Sequence, residues 1–120
     1  MYEYDARFVR VIDGDTVDLV IDLGLDVQLT IRVRLAGVNC PERSAGAPWR
    51  LASEFTQEWL VAAGASVSIR TVKDRREKYG RYLAWVYPRG GFDQPTLNQR
   101  LLDSGHAVPM GGSIPVGLTG

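Results

Sequence analysis

Residues 11–17 read Val-Ile-Asp-Gly-Asp-Thr-Val, and this stretch decides the fold that we predict. Two carboxylates, Asp13 and Asp15, flank one glycine, and β-forming residues stand on both sides. An Asp-Gly pair between two such runs is a strong short-range signal for a hairpin. We therefore expect strands at residues 7–12 and 16–23, joined by a tight turn that carries both acids on the lip of a small β-barrel.

The segment that follows alternates between apolar and polar residues, which is typical of a half-buried strand. Every second residue from Val27 to Leu35 is apolar, and polar side chains lie between them. This period of two predicts a third strand. It places Arg32 and Arg34 on the face that points away from the core.

The second half of the chain contains two helical and two strand patterns. Pro48 can open a helix that runs to about residue 62, and Gly64 stands where a helix C-cap belongs. The later elements, in order, are a strand at residues 66–72, a charged loop at 73–81, a strand at 82–87 and a short helix at 96–104.

These elements predict an α+β fold that is mainly β. Three strands, a helix, two strands and a helix suit a five-stranded Greek-key barrel of the oligonucleotide-binding type, with two or three helices. We expect one domain at residues 1–110 and a Gly- and Pro-rich tail at 111–120.

Composition limits the classes of protein to consider. The chain has 120 residues, of which 45% are hydrophobic and 23% charged, so one globular domain can bury a core without disulfides. Its formal net charge is zero, so any contact with nucleic acid must rely on local clusters. The single cysteine excludes an internal disulfide.

Location and assembly are only weakly constrained by the sequence. The N-terminus lacks the basic region and apolar core of a signal peptide, and no apolar run approaches membrane-spanning length. A cytoplasmic location is the default expectation, and a secreted one follows if a leader was removed. We expect a monomer that does not bind membranes, and nothing indicates a protein partner.

The paired acids of the first turn indicate a chemistry. Hard cations take oxygen ligands, and Asp13 and Asp15 can both turn toward one ion across Gly14. Cleavage of a phosphodiester needs a positioned water and neutralisation of charge on the phosphoryl oxygens. Taken alone, the acid pair is more often a plain turn. With Arg34 and Glu42 also present, a phosphodiesterase becomes the better interpretation.

Five short motifs, in one order, resemble the staphylococcal nuclease (thermonuclease) family. They are Ile12-Asp13-Gly14-Asp15-Thr16-Val17, Arg34-Leu35, Pro41-Glu42, Lys78-Tyr79-Gly80-Arg81 and Leu83-Ala84, with a weaker match at Leu97-Asn98, Leu101 and Gly105. The resemblance spans residues 8–107. It implies an oligonucleotide-binding barrel and calcium-dependent cleavage of DNA and RNA.

The resemblance also implies a role for each matching residue. Arg34 and Arg81 would clamp the phosphate, and Glu42 would act as general base on the attacking water. The Ca²⁺ ligands would be Asp13, Asp15, Asn39 and the backbone carbonyl of Cys40. Lys78 and Tyr79 would grip a terminal phosphate of a bound nucleotide.

Two departures from the family pattern support an alternative function. Asn39 stands where the family has a carboxylate, which predicts weaker cation affinity. The sequence Val108-Pro109-Met110-Gly111 replaces an aromatic pair, which predicts weaker base stacking. The alternative is a catalytically weak or inactive module that binds nucleic acid. The retained acids argue against it, because acids beside a phosphate groove weaken binding unless a cation neutralises them.

Two other features receive less weight. Cys40 and His106 are both available for a thiol mechanism, but nothing in the sequence places them together. The three tryptophans are better explained as core residues than as stacking platforms. Trp49, at the start of the predicted helix, is the one that we consider a partly exposed contact.

Overall fold

The computed structural model describes residues 2–76 and 81–110, with the side chains of residues 2–71 and 81–110. Its strands are β1 (Tyr2–Asp13), β2 (Thr16–Asp22), β3 (Gln28–Leu35), β4 (Val38–Asn39), β5 (Ser66–Arg76), β6 (Tyr82–Pro88) and β7 (Val108–Pro109). The predicted tail at 111–120 lies outside the described residues, as do Lys78 and Tyr79.

The five longer strands form a closed barrel in the order β1-β2-β3-β6-β5. Strands β3 and β6 run parallel, and the other neighbours in the barrel are antiparallel. The short strands β4 and β7 pair with each other beside the barrel. This architecture confirms the predicted α+β barrel.

Two α-helices accompany the barrel at the predicted places. Helix α1 spans Ala47–Ala62 with Pro48 in its first turn, and Gly64 follows its end with a φ of 75°. Helix α2 spans Leu97–Asp103 and is capped by Thr96, whose side chain accepts a hydrogen bond from the Gln99 amide. A 3-10 helix at Arg43–Ala45, which the sequence did not predict, leads into α1.

The alternation predicted for β3 holds only for the half of the strand that lies nearer the first turn. This turn, which carries Asp13 and Asp15, is called the acidic turn. Val33 and Leu35 are fully buried inside the barrel, whereas Val27 and Leu29 are about half exposed. The outer half of β3 lies at the opposite end of the barrel, where apolar side chains line a cavity of about 170 Å³. The alternation of apolar residues in the sequence therefore extends beyond the part of β3 that is buried in the core.

The predicted charged loop at residues 73–81 is wrong over its first part. Strand β5 continues to Arg76, which pairs with Tyr82 of β6. The register of this ladder shifts between Thr71 and Arg76, as in a β-bulge. Backbone pairing with β6 keeps this segment extended although its sequence lacks strand alternation.

Gly14 serves close packing rather than the backbone freedom that we expected of a turn glycine. Its φ lies outside the left-handed region. A Cβ at this position would lie 2.9 Å from the Ala52 Cβ of helix α1 and 3.0 Å from the Cys40 sulfur. The Thr56 hydroxyl donates a 2.6 Å hydrogen bond to the Gly14 carbonyl. Helix α1 therefore packs directly against the acidic turn.

We expect Gly14→Ala to destabilise the protein by about 1–3 kcal/mol, the usual cost of overpacking. Urea unfolding of the variant and the parent measures this difference. Because the Ala52 Cβ is the nearest atom, adding Ala52→Gly should give a cost below the sum of the two single changes. Wild-type stability of Gly14→Ala would show that the helix does not constrain the turn.

Candidate active site

Asp15 is the centre of the hydrogen-bond network at the barrel rim, and it is only 6% exposed. Its Oδ2 atom accepts a 2.7 Å hydrogen bond from the Cys40 amide and lies 3.2 Å from Nη1 of Arg34. The Leu35 amide donates to the Asp15 carbonyl at 2.8 Å. Three separate segments, the first turn, the end of β3 and the residue after β4, therefore meet at one carboxylate.

Arg34 is held in a fixed position at this rim. Its Nη1 also donates to the Leu35 carbonyl at 3.1 Å, and its Nη2 donates to Oδ1 of Asn39 at 3.2 Å. The side chain points away from the barrel core, as predicted, yet Arg34 is only 6% exposed. A guanidinium buried to this degree needs a paired carboxylate, and Asp15 supplies it.

Thr16 connects the second predicted arginine to the same network. Nη1 of Arg81 donates to Oγ1 of Thr16 at 3.2 Å, and that hydroxyl donates to Oδ1 of Asp15 at 3.3 Å. Thr16 is 1% exposed; its contact with Asp15 is buried and its contact with Arg81 is partly buried. No role for Thr16 was predicted from the sequence, although its position directly after Asp15 was an available signal.

Glu42 follows closely in sequence on the segment that contacts Asp15. It comes two residues after Cys40, whose amide binds Asp15, and it immediately precedes the 3-10 helix. Its backbone is extended, and its carbonyl accepts a 2.9 Å hydrogen bond from the Ala45 amide. Glu42 is exposed, so it is accessible to water.

Asp13 has a different partner from Asp15. Its Oδ1 atom accepts a 2.7 Å hydrogen bond from the indole N–H of Trp49, at the start of helix α1. Among residues 2–76 and 81–110, no three or more Asp, Glu, His or Cys residues cluster as metal ligands do. A cation at this rim would therefore depend on amide and backbone oxygens as well as carboxylates.

The donor chemistry at the rim fits a hard divalent cation. Oxygens of Asp15 and Asn39 converge on one guanidinium, and the Cys40 carbonyl belongs to the residue between Asn39 and Pro41. All three donors are oxygens, which Ca²⁺ prefers. Asn39 is exposed, so this edge of the network is open to solvent.

Comparison with known proteins assigns the chain to a family. A family model described as "Staphylococcal nuclease homologue" matches residues 32–113, more than half of the chain. The chain belongs to the staphylococcal nuclease family. The resemblance read from the five motifs is thereby confirmed.

Individual relatives carry nuclease names. An "Uncharacterized endonuclease" of Escherichia coli O157:H7 is 27% identical over 102 residues, which cover 85% of this chain and 58% of that protein. A "Micrococcal nuclease" of Shigella flexneri is 30% identical over 115 residues, covering 88% and 58%. A "Probable endonuclease lcl3" of Penicillium rubens is 33% identical over 72 residues, covering 59% and 25%. The chain thus spans at most about three fifths of the length of these relatives.

The structure brings most of the predicted site residues of this family member to one rim. Asp15, Arg34, Asn39 and Cys40 are in direct contact, and Arg81 joins them through Thr16. Asp13 lies in the same turn but contacts Trp49 instead. In the part of the chain that the structure describes, no helix is long and apolar enough to cross a membrane.

Burial makes Cys40 unsuitable as a nucleophile. The side chain lies against Gly14, and burial raises the pKa of its thiol to about 12, with the Asp15 charge adding to the effect. The thiol is therefore protonated at neutral pH, whereas the thiolate is the reactive form. The ring of His106 packs on Phe55 instead, with ring centroids 5.0 Å apart.

Asp18 anchors two arginines on the outer face of the barrel next to the site. Arg32 donates to both of its oxygens, at 2.8 and 3.2 Å, and Arg10 donates at 2.8 Å. The hydrogen bonds from Arg32, with those from Arg10, hold the pKa of Asp18 below its usual value of 3.8 despite burial. This ion network stabilises the β1-β2-β3 face that carries the acidic turn.

We expect Asp18→Asn to lower the free energy of unfolding by about 1.5 kcal/mol at neutral pH. This is the low end for hydrogen bonds to charged groups, because the side chains of Arg10 and Arg32 are 64% and 44% exposed. Since the folded pKa lies below the unfolded one, the carboxylate stabilises the fold above pH 3.8 and loses that effect as pH falls through the folded pKa.

Urea unfolding as a function of pH checks the Asp18 prediction. The difference between parent and Asp18→Asn should shrink as the solution is acidified below pH 3.8. Asp26→Asn, at an exposed position in the β2–β3 turn, is the control. A pH-independent difference would contradict the proposed origin of the effect.

Proposed function

We propose that this protein is a Ca²⁺-dependent nuclease that hydrolyses phosphodiester bonds of DNA, RNA or both. The observation that carries the proposal is the network around Asp15. It holds two arginines and fixes the segment that bears Glu42 at one rim of the barrel. Membership in the staphylococcal nuclease family and the nuclease names of the relatives support the same activity.

Asp15, Asn39 and the Cys40 carbonyl are the residues proposed to hold the cation, with Asp13 beside them. When bound, a divalent cation would neutralise charge on a phosphoryl oxygen and help to align the attacking water. The Asp13 Oδ1 atom already accepts the Trp49 N–H. Both carboxylate oxygens of Asp15 also accept hydrogen bonds, from Thr16 and from the Cys40 amide, so both acids stay as proposed ligands.

Arg34 and Arg81 are proposed to bind the non-bridging oxygens of the scissile phosphate. Their planar guanidiniums match phosphate oxygens in pairs. Arg34 is already oriented by Asp15, Asn39 and the Leu35 carbonyl. A donor held this way needs little reorganisation as negative charge develops, which is the condition for strong transition-state stabilisation.

Glu42 is proposed to accept the proton of the attacking water. The water oxygen then forms a bond to phosphorus while the bond from phosphorus to the leaving oxygen breaks. Its exposure makes it accessible to water, which supports the proposal. A general base must also lie within hydrogen-bond reach of the water that it deprotonates.

The activity is tested with end-labelled single-stranded DNA and RNA, incubated with the protein and either Ca²⁺ or a chelator. We expect fragments with Ca²⁺ and intact strands with the chelator. An intact but retarded strand under both conditions would instead support the alternative, a module that binds nucleic acid without cleaving it. No cleavage and no retardation would overturn both functions.

A further inference from the structure

A groove between β1 and helix α1 begins where the candidate site ends. Trp49 connects the two, because its indole N–H is bound by Asp13 of the acidic turn at 2.7 Å. The groove has a volume of about 380 Å³ and runs from Arg43 and Trp49 along the helix. This volume falls within the range of roughly 300–1,000 Å³ that is usual for small-ligand sites.

The end of the groove nearest the site carries two flat groups. The guanidinium carbon of Arg43 lies 5.0 Å from the centre of the Trp49 ring, in a cation–π contact. The hydrogen bond to Asp13 fixes the orientation of the indole. Arg43 belongs to the 3-10 helix that starts directly after Glu42. The flat pair is thus attached to the acidic turn on one side and to the proposed general base on the other.

Charge divides the groove along its length. Arg43 and Arg50 lie near the site, whereas Glu54 and Glu58 lie one and two helical turns further along α1. Arg50 and Glu54 approach each other to 3.8 Å at the boundary. A phosphate is therefore attracted at the end near the site and repelled at the far end. This polarity favours a nucleotide whose phosphate faces the candidate site.

Ser53 adds a polar contact inside the groove. Its hydroxyl oxygen is buried and has no hydrogen-bond partner among the described residues. Buried hydroxyls normally have such a partner. Because this oxygen is shielded from solvent, a ligand in the groove would reach it only after the side chain changes rotamer.

We propose that this groove is a base-stacking subsite, in which Trp49 and Arg43 hold an unpaired base of the nucleic-acid strand next to the scissile phosphate. The proposal rests on the proposed nuclease function for the identity of the strand. Aromatic rings and arginine planes are the usual stacking partners of unpaired bases. A base within a duplex is already paired and stacked, so it is not available to this subsite.

The experiment measures binding rather than cleavage, in a Glu42→Gln background and with Ca²⁺ present. The probe is a short fluorescent single-stranded DNA, compared with versions that carry one abasic position. Trp49→Leu should weaken binding about 5- to 150-fold, the range measured for loss of one stacked base. Trp49→Phe keeps a ring but loses the indole N–H, so it should retain most of the affinity. Leu51→Ala, at a half-exposed position on the same helix but outside the groove, is the matched control.

The abasic probes identify the contact. When the abasic position coincides with the base that stacks on Trp49, the parent and Trp49→Leu should bind the probe equally, because that base is absent. Equal binding of Trp49→Leu and Leu51→Ala to the unmodified strand would overturn the proposal. A loss in Trp49→Phe as large as in Trp49→Leu would also overturn it, since that result assigns the effect to the hydrogen bond with Asp13. Urea unfolding confirms that each variant is folded.

The outcome is separable from that of the nuclease proposal. If the strand binds through Trp49 but is never cut by the parent protein with Ca²⁺, the nuclease function fails while the subsite stands. If cleavage occurs and Trp49→Leu leaves binding unchanged, the subsite fails while the nuclease function stands.

Discussion

Glu42→Gln is expected to lower the rate of phosphodiester cleavage by about 10²–10⁴-fold, the usual contribution of a general base. The amide has nearly the shape of the carboxylate but cannot take a proton from water. Glu42 is exposed, and it caps the 3-10 helix without a side-chain hydrogen bond. The substitution should therefore leave the fold intact. Single-turnover cleavage of a labelled strand with saturating protein measures the chemical step directly.

Two controls make the Glu42 result specific. The affinity of Glu42→Gln for the uncleaved strand should stay within a few-fold of the parent, since a base acts in the transition state. Asp26→Asn removes an exposed acid from the turn between β2 and β3 and should keep nearly full activity. A Glu42→Gln variant that cleaves at the parent rate would remove the residue from the mechanism.

Arg34→Lys is expected to lower the cleavage rate by about 10²–10³-fold, the cost of removing one transition-state donor. Lysine keeps the positive charge that Asp15 needs but cannot reproduce the fork that contacts Asp15, the Leu35 carbonyl and Asn39. The protein should still fold, so a loss of rate at unchanged secondary structure assigns the effect to geometry. The same substitution at Arg32, which is 44% exposed and paired with Asp18, is the matched control.

Arg34→Ala should behave differently, because it leaves a buried carboxylate without its charge partner. Breaking a buried pair in this way typically costs about 3–5 kcal/mol, and Asp15 and Arg34 are each only 6% exposed. Chemical unfolding of Arg34→Ala and Arg34→Lys therefore separates the structural role from the catalytic one. Equal stability of the parent and Arg34→Ala would contradict the buried pair.

Much of the barrel could be predicted because local patterns agree with it. Gly14 and Asp15 form the turn between β1 and β2, directly after Asp13, and Pro48 lies in the first turn of α1. Patterns of this kind depend on a few neighbouring residues. Strand β5 ran past its predicted end because pairing with β6, which is distant in sequence, overrides its charged composition.

The site could be predicted as a set of residues but not as a network. Motif order indicated Asp15, Arg34 and Arg81, but only the tertiary structure shows that Arg34 is buried and that Thr16 joins Arg81 to Asp15. On the sequence alone, Arg34 is a strand-face arginine whose loss should leave the fold intact. Arg34 contacts Asn39 of β4. The alternation of residues in β3 gives no information about a contact with that segment.

The roles of Gly14 and Trp49, which both involve helix α1, could not be predicted from the sequence either. The role of Gly14 depends on the approach of Ala52, and that of Trp49 depends on the position of Asp13. Both contacts join residues more than thirty positions apart. A single sequence gives the residue types but not these distances.

The central claim is that one phosphate is held at the rim around Asp15, with Arg34, Arg81 and Glu42 as the residues proposed to act on it. A crystal structure of the protein with Ca²⁺ and a phosphorothioate dinucleotide that resists cleavage tests it most directly. The account predicts the phosphorus between the Arg34 and Arg81 guanidiniums, the cation against Asp15, and Glu42 facing the side opposite the leaving oxygen. A phosphate bound elsewhere on the barrel, with Arg34 still contacting only Asp15, Leu35 and Asn39, would contradict it.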